Sequence, residues 1–396
     1  MEKKADDVYV VAAAYLSGQG KTQEEIAIDS IIISVFHLQI SPTWDSQPSL
    51  ICTLIAHLGG DFDMSTFIPH SLCEARFDPI NQRTVLIAPK RAKRPKTHNE
   101  HQCPGCIPAL TPPAVYVWPE SADPLSDKWD IRVVPNKFSC FSDSGGNQRC
   151  GTSSGFKAIQ DPAGRCEVVF ETRHHIYPVY ARTDTEIEHF FRALISRYKS
   201  ARSDPRARFW FAFKNLGRVA GGTMDHEHWQ LYTLPFIPTS IQERYARAAQ
   251  YFNEEGQNLY QRVFEDEANS SSRVVTITEH FLTFVPFAAG LPYEICIAPR
   301  RSSADFSTMT GEELRGLAAS FRDAISRLSS VHPELAYNVA LHTAAFEHAA
   351  ATWYTWHLSI LPRLTTIAGV ELGINLMINP VSPEEAASTL RSVPVQ

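Results

Sequence analysis

The segment from Asn215 to Gln230 gathers the chain's densest set of side chains able to do chemistry. It starts at Asn215, passes Gly217, Gly221, Gly222 and Thr223, and ends in His226-Glu227-His228-Trp229-Gln230. In an extended strand side chains alternate, which would put His226, His228 and Gln230 on one face and Glu227 and Trp229 on the other. Two imidazoles and an amide on one face suit nucleophilic attack at phosphorus, and the backbone N–H groups of a glycine-rich turn can approach an anion. A His-x-His pair by itself fits a metal site or a satisfied structural pair equally well. The agreement of the pair with the Gly-Gly-Thr turn and with Gln230 in register is what reads as a phosphate-handling site.

Cys103-Pro104-Gly105-Cys106 supplies a second constellation. A Cys-x-x-Cys pair gives two ligands of a tetrahedral zinc site and needs two histidines from elsewhere. His98 and His101 lie close by in sequence; His174, His175 and His226 lie further along. His174 and His175 are adjacent, so in an extended segment they face opposite ways and only one can serve. The rival reading makes Cys103 and Cys106 small buried residues. The run Lys90-Arg91-Ala92-Lys93-Arg94 offers cations for phosphates, against the reading of a solvated basic stretch.

Strand-like and helix-like patterns alternate around these residues. Arg132 to Val134, Cys166 to Phe170 and Phe209 to Phe213 are β-branched or aromatic runs of strand length. Ile187, Phe190, Phe191, Leu194, Ile195 and Tyr198 recur at helical spacing, which predicts an amphipathic helix from Thr185 to Ser200. A second round follows: strands at Phe281 to Val285 and Tyr293 to Ile297, a helix capped at Thr310 and reaching about Leu328, then strands at Tyr337 to Leu341 and Trp353 to Ile360. Ser382-Pro383-Glu384-Glu385 opens a C-terminal helix. Two rounds of strand, strand, helix, strand, strand predict an α+β fold with antiparallel sheets and helices packed on them.

The first seventy residues are different. They hold three basic residues (Lys3, Lys4, Lys21) against nine acidic ones and so carry the whole formal net charge of −6. An acidic, arginine-free head on a charge-balanced body argues against a nucleic-acid partner. Thr22-Gln23-Glu24-Glu25, after a glycine turn, faintly resembles the start of a helix-turn-helix regulator, but Ile31 to Leu38 lacks the basic residues that a recognition helix sets against phosphates. The apolar stretch Ile31 to Phe36 is broken by Ser34 and falls far short of the roughly 20 residues of a membrane span. Lys3 and Lys4 are followed by Asp6 and Asp7 before any apolar run, unlike a signal peptide. With scattered cysteines, this predicts a cytoplasmic chain with no membrane partner.

The motifs together resemble the galactose-1-phosphate uridylyltransferase family, the nucleotidyltransferase branch of the histidine-triad superfamily. That family's active strand runs Asn, a glycine-rich turn with Ser or Thr, then His-Pro-His-x-Gln, and the spacing from Asn215 to His226 is similar. Arg76-Phe77-Asp78-Pro79 with Val85 to Pro95, Cys103 to Cys106 with Leu110 to Pro113, Arg132 to Phe138, and Glu171 to His175 resemble further family elements. So do Trp356 to Pro362 and Gly369-Val370-Glu371-Leu372-Gly373 in the C-terminal part. The resemblance covers about residues 71 to 396. It implies two tandem histidine-triad-like halves, at 71–265 (zinc site and active strand) and 266–396, behind an acidic extension of unassigned role at 1–70.

The resemblance also implies roles. His228 becomes the nucleophile that takes a nucleoside monophosphate from a nucleotide sugar such as UDP-glucose and passes it to a sugar 1-phosphate, with ping-pong kinetics. Gln230 holds phosphoryl oxygens and, being an amide, cannot act as general base on water as a third histidine could, which favours transfer over hydrolysis. Cys103, Cys106, His175 and His226 become the ligands of one structural zinc. Arg91, Arg94, Asn215, Gly221 and Thr223 are expected at the phosphates, Asn136, Lys137 and Phe138 at the nucleoside, and Glu371 at the sugar hydroxyls, with the site completed across a homodimer. Glu227 departs from the family's proline and leaves the backbone between the histidines less restricted. A second metal would draw on Glu243, His342 and His357, but Ser359 stands where a further ligand belongs, so none is expected. A phosphorylase or adenylyltransferase acting on ADP-glucose or dinucleoside polyphosphates is the nearest alternative; a non-catalytic sugar-nucleotide sensor with a DNA-binding N-terminal segment is a more distant one.

Overall fold

The computed structural model describes residues 74–93, 100–126, 128–141, 158–160 and 163–394. The charge-bearing head, His98 and Arg94 lie outside them.

Ten strands form one continuous antiparallel sheet in the order β3-β4-β6-β8-β7-β12-β13-β11-β10-β9. The first five are β3 (Tyr116–Trp118), β4 (Ile131–Pro135), β6 (Arg165–Phe170), β7 (Phe209–Leu216) and β8 (His228–Leu234). The second five are β9 (Val274–Ile277), β10 (Phe281–Phe284), β11 (Ile295–Pro299), β12 (Tyr337–His342) and β13 (His357–Pro362). Each set adds its strands in the same way: three in succession, then a helix, then a pair of which the later strand inserts beside the third. The halves join where β7 pairs β12, with Asn215 opposite Asn338. The duplicated α+β architecture expected from the sequence is therefore present, as one shared sheet rather than two. A small separate sheet holds β1 (Glu74–Asp78), β2 (Arg83–Ile87) and β5 (Ala158–Gln160).

The two crossover helices have the same start. In α1 (Asp184–Arg202) the Thr183 side chain accepts the Glu186 N–H and Glu186 accepts the Thr183 N–H; Thr310 and Glu313 do likewise for α4 (Gly311–Val331). Ile187, Phe190, Phe191 and Leu194 meet Leu314, Leu317, Phe321 and Leu328 in one core over a single face of the sheet. Trp229 of β8 is fully buried in it, against Phe190 and Phe321. An indole of this kind buries about 150–250 Å², worth several kcal/mol at about 25 cal/mol per Å². A one-residue slip would exchange Trp229 with His228 and Gln230, so this burial holds the register of the active strand.

The structure departs from expectation in three places. Residues 239–270, unassigned from the sequence, form α2 (Thr239–Glu255) and α3 (Leu259–Ser270); Gly256 ends α2 in the left-handed region, φ 68°, and Asn258 caps α3. The last strand begins at His357, not Trp353, because Tyr354 packs on Tyr245 and Tyr260 off the sheet. The strand expected from Tyr293 begins at Ile295, since Tyr293 takes a positive φ of 59°. Segment 369–374 is a short helix, α5 (Gly369–Ile374), and the helix opened by Ser382 is α6 (Pro383–Ser392).

Candidate active site and metal centre

His226 and Glu227 precede β8 rather than belonging to it, so only His228 and Gln230 share a strand face. The His226 ring turns instead to the cysteine loop. Its Nε2 lies 2.7 Å from the Thr172 carbonyl, which can only accept, so Nε2 carries the proton and Nδ1 the lone pair. That lone pair faces Cys106, at 3.4 Å from Sγ, and His175 Nδ1 lies 3.2 Å from the same sulfur. Ligand atoms of Cys103, Cys106, His175 and His226 all fall within 4.8 Å of one another. Bonds of about 2.3 Å to sulfur and 2.05 Å to nitrogen give a tetrahedron with an S···N edge of roughly 3.5 Å, so this donor set fits a zinc-type ion. Burial pushes His226 down to about 4, keeping it neutral as a ligand must be. His174 is exposed, packs edge-on to Tyr177 and is not in the cluster; His101 is exposed and likewise apart from it.

The cysteine loop is held from two sides. Arg132, buried between the Trp129 and Phe170 rings, donates to the Pro104 carbonyl at 2.9 Å and to Thr111 Oγ1 at 3.1 Å. Burial lowers this guanidinium to about 10, still charged at neutral pH. Gly105 packs flat on the histidine: a Cβ there would stand 2.5 Å from His226 Nδ1.

His228 begins β8 opposite Phe170. Its Nδ1 lies 2.8 Å from the His226 carbonyl, which fixes that nitrogen as the donor and leaves the lone pair on Nε2. Gln230, two residues on, is buried between Val168 and Phe213, and its Oε1 has no hydrogen-bond partner among the described residues. Tyr232 continues the same face and accepts from Arg91 Nη1 at 3.2 Å, which brings the basic segment over the strand.

The glycine turn after β7 uses most of its own amides. Gly222 N–H and Ala220 N–H bond the Gly217 carbonyl, and Gly221 N–H bonds the Arg218 carbonyl. Gly217 and Gly221 take φ near +81° and +83°, and a Cβ on Gly222 would lie 2.9 Å from the Gly217 oxygen. The tight turn thus sets the direction of Asn215 and Thr223, rather than offering the Gly221 or Gly222 N–H to a ligand. Thr223 Oγ1 is buried without a protein partner among the described residues. Asn215 is held from the other half: Asn338 donates to its Oδ1 at 2.7 Å and to the Ala220 carbonyl at 2.8 Å. Asn338 and the Thr172 carbonyl escape a reading of the sequence, because only strand pairing brings them to the site. Asn136 caps its own turn, accepting the Phe138 N–H at 2.9 Å; Lys137 is exposed and Phe138 half-buried just beyond β4. Glu371 is half-buried on α5, where it accepts the Ala368 N–H.

At the equivalent place in the second half, His342 and His357 pair across β12 and β13 with stacked rings 4.7 Å apart. Tyr260 and Phe264 pack on His357, and Glu243 is exposed on α2. Among the described residues the Cys103–His226 set is the cluster that could hold a metal.

Two equivalent halves of five antiparallel strands, each with one crossover helix and the first carrying His-x-His-x-Gln at the entry of β8, make a tandem histidine-triad-like fold. Residues 244–396 match the family described as galactose-1-phosphate uridyl transferase, C-terminal domain. The chain is 28% identical to an ADP-glucose phosphorylase of Arabidopsis thaliana over 85% of its length and 96% of the relative's. It is 26% identical to a galactose-1-phosphate uridylyltransferase of Thermotoga maritima over 82% of its length and all of the relative's. The crystal structure of the Arabidopsis phosphorylase with bound ADP-glucose superposes with a TM-score of 0.67, covering 82% of this chain and 99% of that one. A uridylyltransferase structure, 25% identical, superposes with a TM-score of 0.68. Over most of its length, then, the chain is similar to galactose-1-phosphate uridylyltransferases and to an ADP-glucose phosphorylase, and its C-terminal part matches the transferase family's C-terminal domain.

Proposed function

We propose that the protein moves a nucleoside monophosphate, uridylate in the first instance, between sugar 1-phosphates through a covalent intermediate on His228. The observation that carries this is the hydrogen bond from His228 Nδ1–H to the His226 carbonyl, with an amide two residues further along the same face. His228 Nε2 attacks the α-phosphorus of UDP-glucose, the bond from that phosphorus to the bridging oxygen breaks, and glucose 1-phosphate leaves with the electron pair. Positive charge builds on the ring, and the bond from Nδ1–H to the carbonyl strengthens as it becomes charge-assisted. A phosphate oxygen of a hexose 1-phosphate then takes the uridylyl group and restores the neutral imidazole. Gln230 has no basic nitrogen with which to activate water, so the intermediate persists until an acceptor arrives.

Arg91 and Arg94, Asn215, Gly221 and Thr223 serve the phosphates in this reading, with Gly221 acting through the turn it shapes; Asn136, Lys137 and Phe138 serve the nucleoside. Cys103, Cys106, His175 and His226 would hold one zinc, whose part is structural, since four protein ligands leave no open position. A homodimer completes the site. Glu371 is displayed beside exposed Leu372, Ile374, Leu376 and Ile378, an apolar strip suited to a second copy and its sugar. The setting is cytoplasmic, in keeping with described cysteines that form no disulfide among themselves. Among the described residues no helix is long and apolar enough to cross a membrane. The transferase halves run 71–265 and 266–396, behind the acidic extension.

A second reading makes inorganic phosphate the acceptor and ADP-glucose the donor, favoured by the likeness to the Arabidopsis phosphorylase. One experiment separates the two. Protein is incubated with nucleotide-labelled UDP-glucose or ADP-glucose, acid-labile protein-bound label is measured, and galactose 1-phosphate or phosphate is then added. Label from UDP-glucose that galactose 1-phosphate discharges supports the transferase, and label from ADP-glucose that phosphate discharges supports the phosphorylase. Label from neither, or label persisting in His228→Ala, rejects the covalent mechanism.

A further inference from the structure

Beneath the active strand, on the side of α1 and α4, lies a cluster that neither the metal site nor the transfer chemistry uses. Glu171, Arg182, Lys214 and Glu227 are each at most 5% exposed. Arg182 bridges Glu171 and Glu227, both at 2.9 Å, and Lys214 bridges the same two carboxylates from the other side. The four close into a ring of two cations and two anions with no net charge. Arg182 is itself pinned through Nε and Nη2 to the Tyr177 carbonyl, at 2.9 and 2.6 Å. Taking four charges out of water is costly, and well-packed apolar side chains of similar volume often serve stability as well or better. Stability alone is therefore a poor account of the ring.

Its positions in the chain suggest another. Glu171 precedes Thr172, whose carbonyl holds His226; Lys214 precedes Asn215; and Glu227 separates His226 from His228. Adjacent residues of extended chain point to opposite faces, so a ring that fixes these three side chains below also fixes the backbone that presents Thr172, Asn215 and the paired histidines above. A proline between the histidines would limit φ there but could not reach the neighbouring strands. Glu227 ties that backbone directly to β7 and to the segments after β6 and before α1.

We propose that the Glu171–Arg182–Glu227–Lys214 ring is a positioning device, which aims the His226 carbonyl at His228 Nδ1 and thereby holds the His228 ring in the tautomer that presents Nε2 to substrate. This rests on the reading of His228 as nucleophile, but its test does not require turnover. The metal-loaded protein is labelled with 15N-histidine, and the His228 resonances are assigned by their loss in His228→Ala. The parent is expected to show His228 protonated at Nδ1. The paired variant Glu227→Gln/Lys214→Met removes one charge of each sign; it is expected to keep its metal and cooperative unfolding, to show mixed His228 tautomers, and to lose at least tenfold in kcat with KM for the nucleotide sugar changed less than threefold. If that variant does not fold, Glu227→Asp, which keeps the charge and shortens the reach, is expected to show the same tautomer mixing and a smaller fall in kcat. A parent protonated at Nε2, or a folded variant with the parent's tautomer and kcat, overturns the proposal. Loss of the tautomer effect and loss of the nucleophile role are read separately, because the first is measured by resonance without substrate and the second by covalent label.

Discussion

Carbonyl groups decide which ring nitrogen of His226 and of His228 carries the proton. The Thr172 oxygen accepts from His226 Nε2–H and leaves the lone pair on Nδ1, whereas the His226 oxygen accepts from His228 Nδ1–H and leaves the lone pair on Nε2. One sequence motif thus yields two imidazoles of opposite tautomer, as the proposed ligand and nucleophile roles require. Two substitutions test this division. Gln230→His puts an imidazole on the strand face of His228, between Val168 and Phe213. It is expected to raise UMP release from UDP-glucose without acceptor about tenfold or more while slowing transfer, and an unchanged hydrolysis rate would show that the amide does not protect the intermediate. Gly105→Ala would push a methyl into the His226 ring, which cannot swing away while Thr172 holds it. Zinc retained after dialysis should reveal a roughly 10–100-fold weaker site; full occupancy at the parent's affinity would mean that the loop moves freely.

Between elements, equivalent strands of the two halves have diverged. Where β8 opens on His228 and faces a polar site, β13 opens on His357 and is walled by Tyr260, Phe264 and Tyr354. Desolvation there pushes His357 down to about 4, and His342 beside it well below its ordinary value. Both stay neutral in the folded chain below the pH, near 6.5, at which each takes up a proton in the unfolded chain, His357 down to about pH 4. The unfolded state therefore binds more protons between about pH 6.5 and 4, and stability must fall as pH falls through that window, by at most about 1.4 kcal/mol per pH unit for each histidine. Thermal midpoints of the parent and His357→Gln at pH 7 and pH 5 should show the shallower loss in the variant. Equal losses would place the titrating groups elsewhere.

At the scale of the whole molecule, the continuous sheet makes the second half a structural partner of the first. Asn338 of β12 orients Asn215, and the crossover helices share one core, so the half that carries His228 is not self-sufficient. Glu371 stands on α5 beside an exposed apolar strip of Leu372, Ile374, Leu376 and Ile378. If a second copy covers that strip, Leu372→Asp/Ile374→Asp should convert a dimer to a monomer in sedimentation, with activity reduced far more than secondary structure. A parent that sediments as a monomer, or a variant that remains dimeric, would remove the strip from consideration.

The amino-acid sequence alone determined the duplicated α+β pattern, the helix over 185–200, the helix start at Thr310, and the chemistry-bearing types at His228, Gln230 and the Cys-x-x-Cys loop, because periodicity, capping and motif spacing are local properties; the cap at Thr183 came from the structure. Only the tertiary structure decided that His175 and not His174 joins the cysteines, that His226 leaves the strand face, and that the glycine turn consumes its own amides. Glu227, which by sequence loosened the strand entry, is instead tied down by Arg182 and Lys214. These outcomes depend on which distant segments lie opposite one another in the sheet, and on the cost of burying a charge or a carbonyl without a partner, and neither is written in the spacing of neighbouring residues.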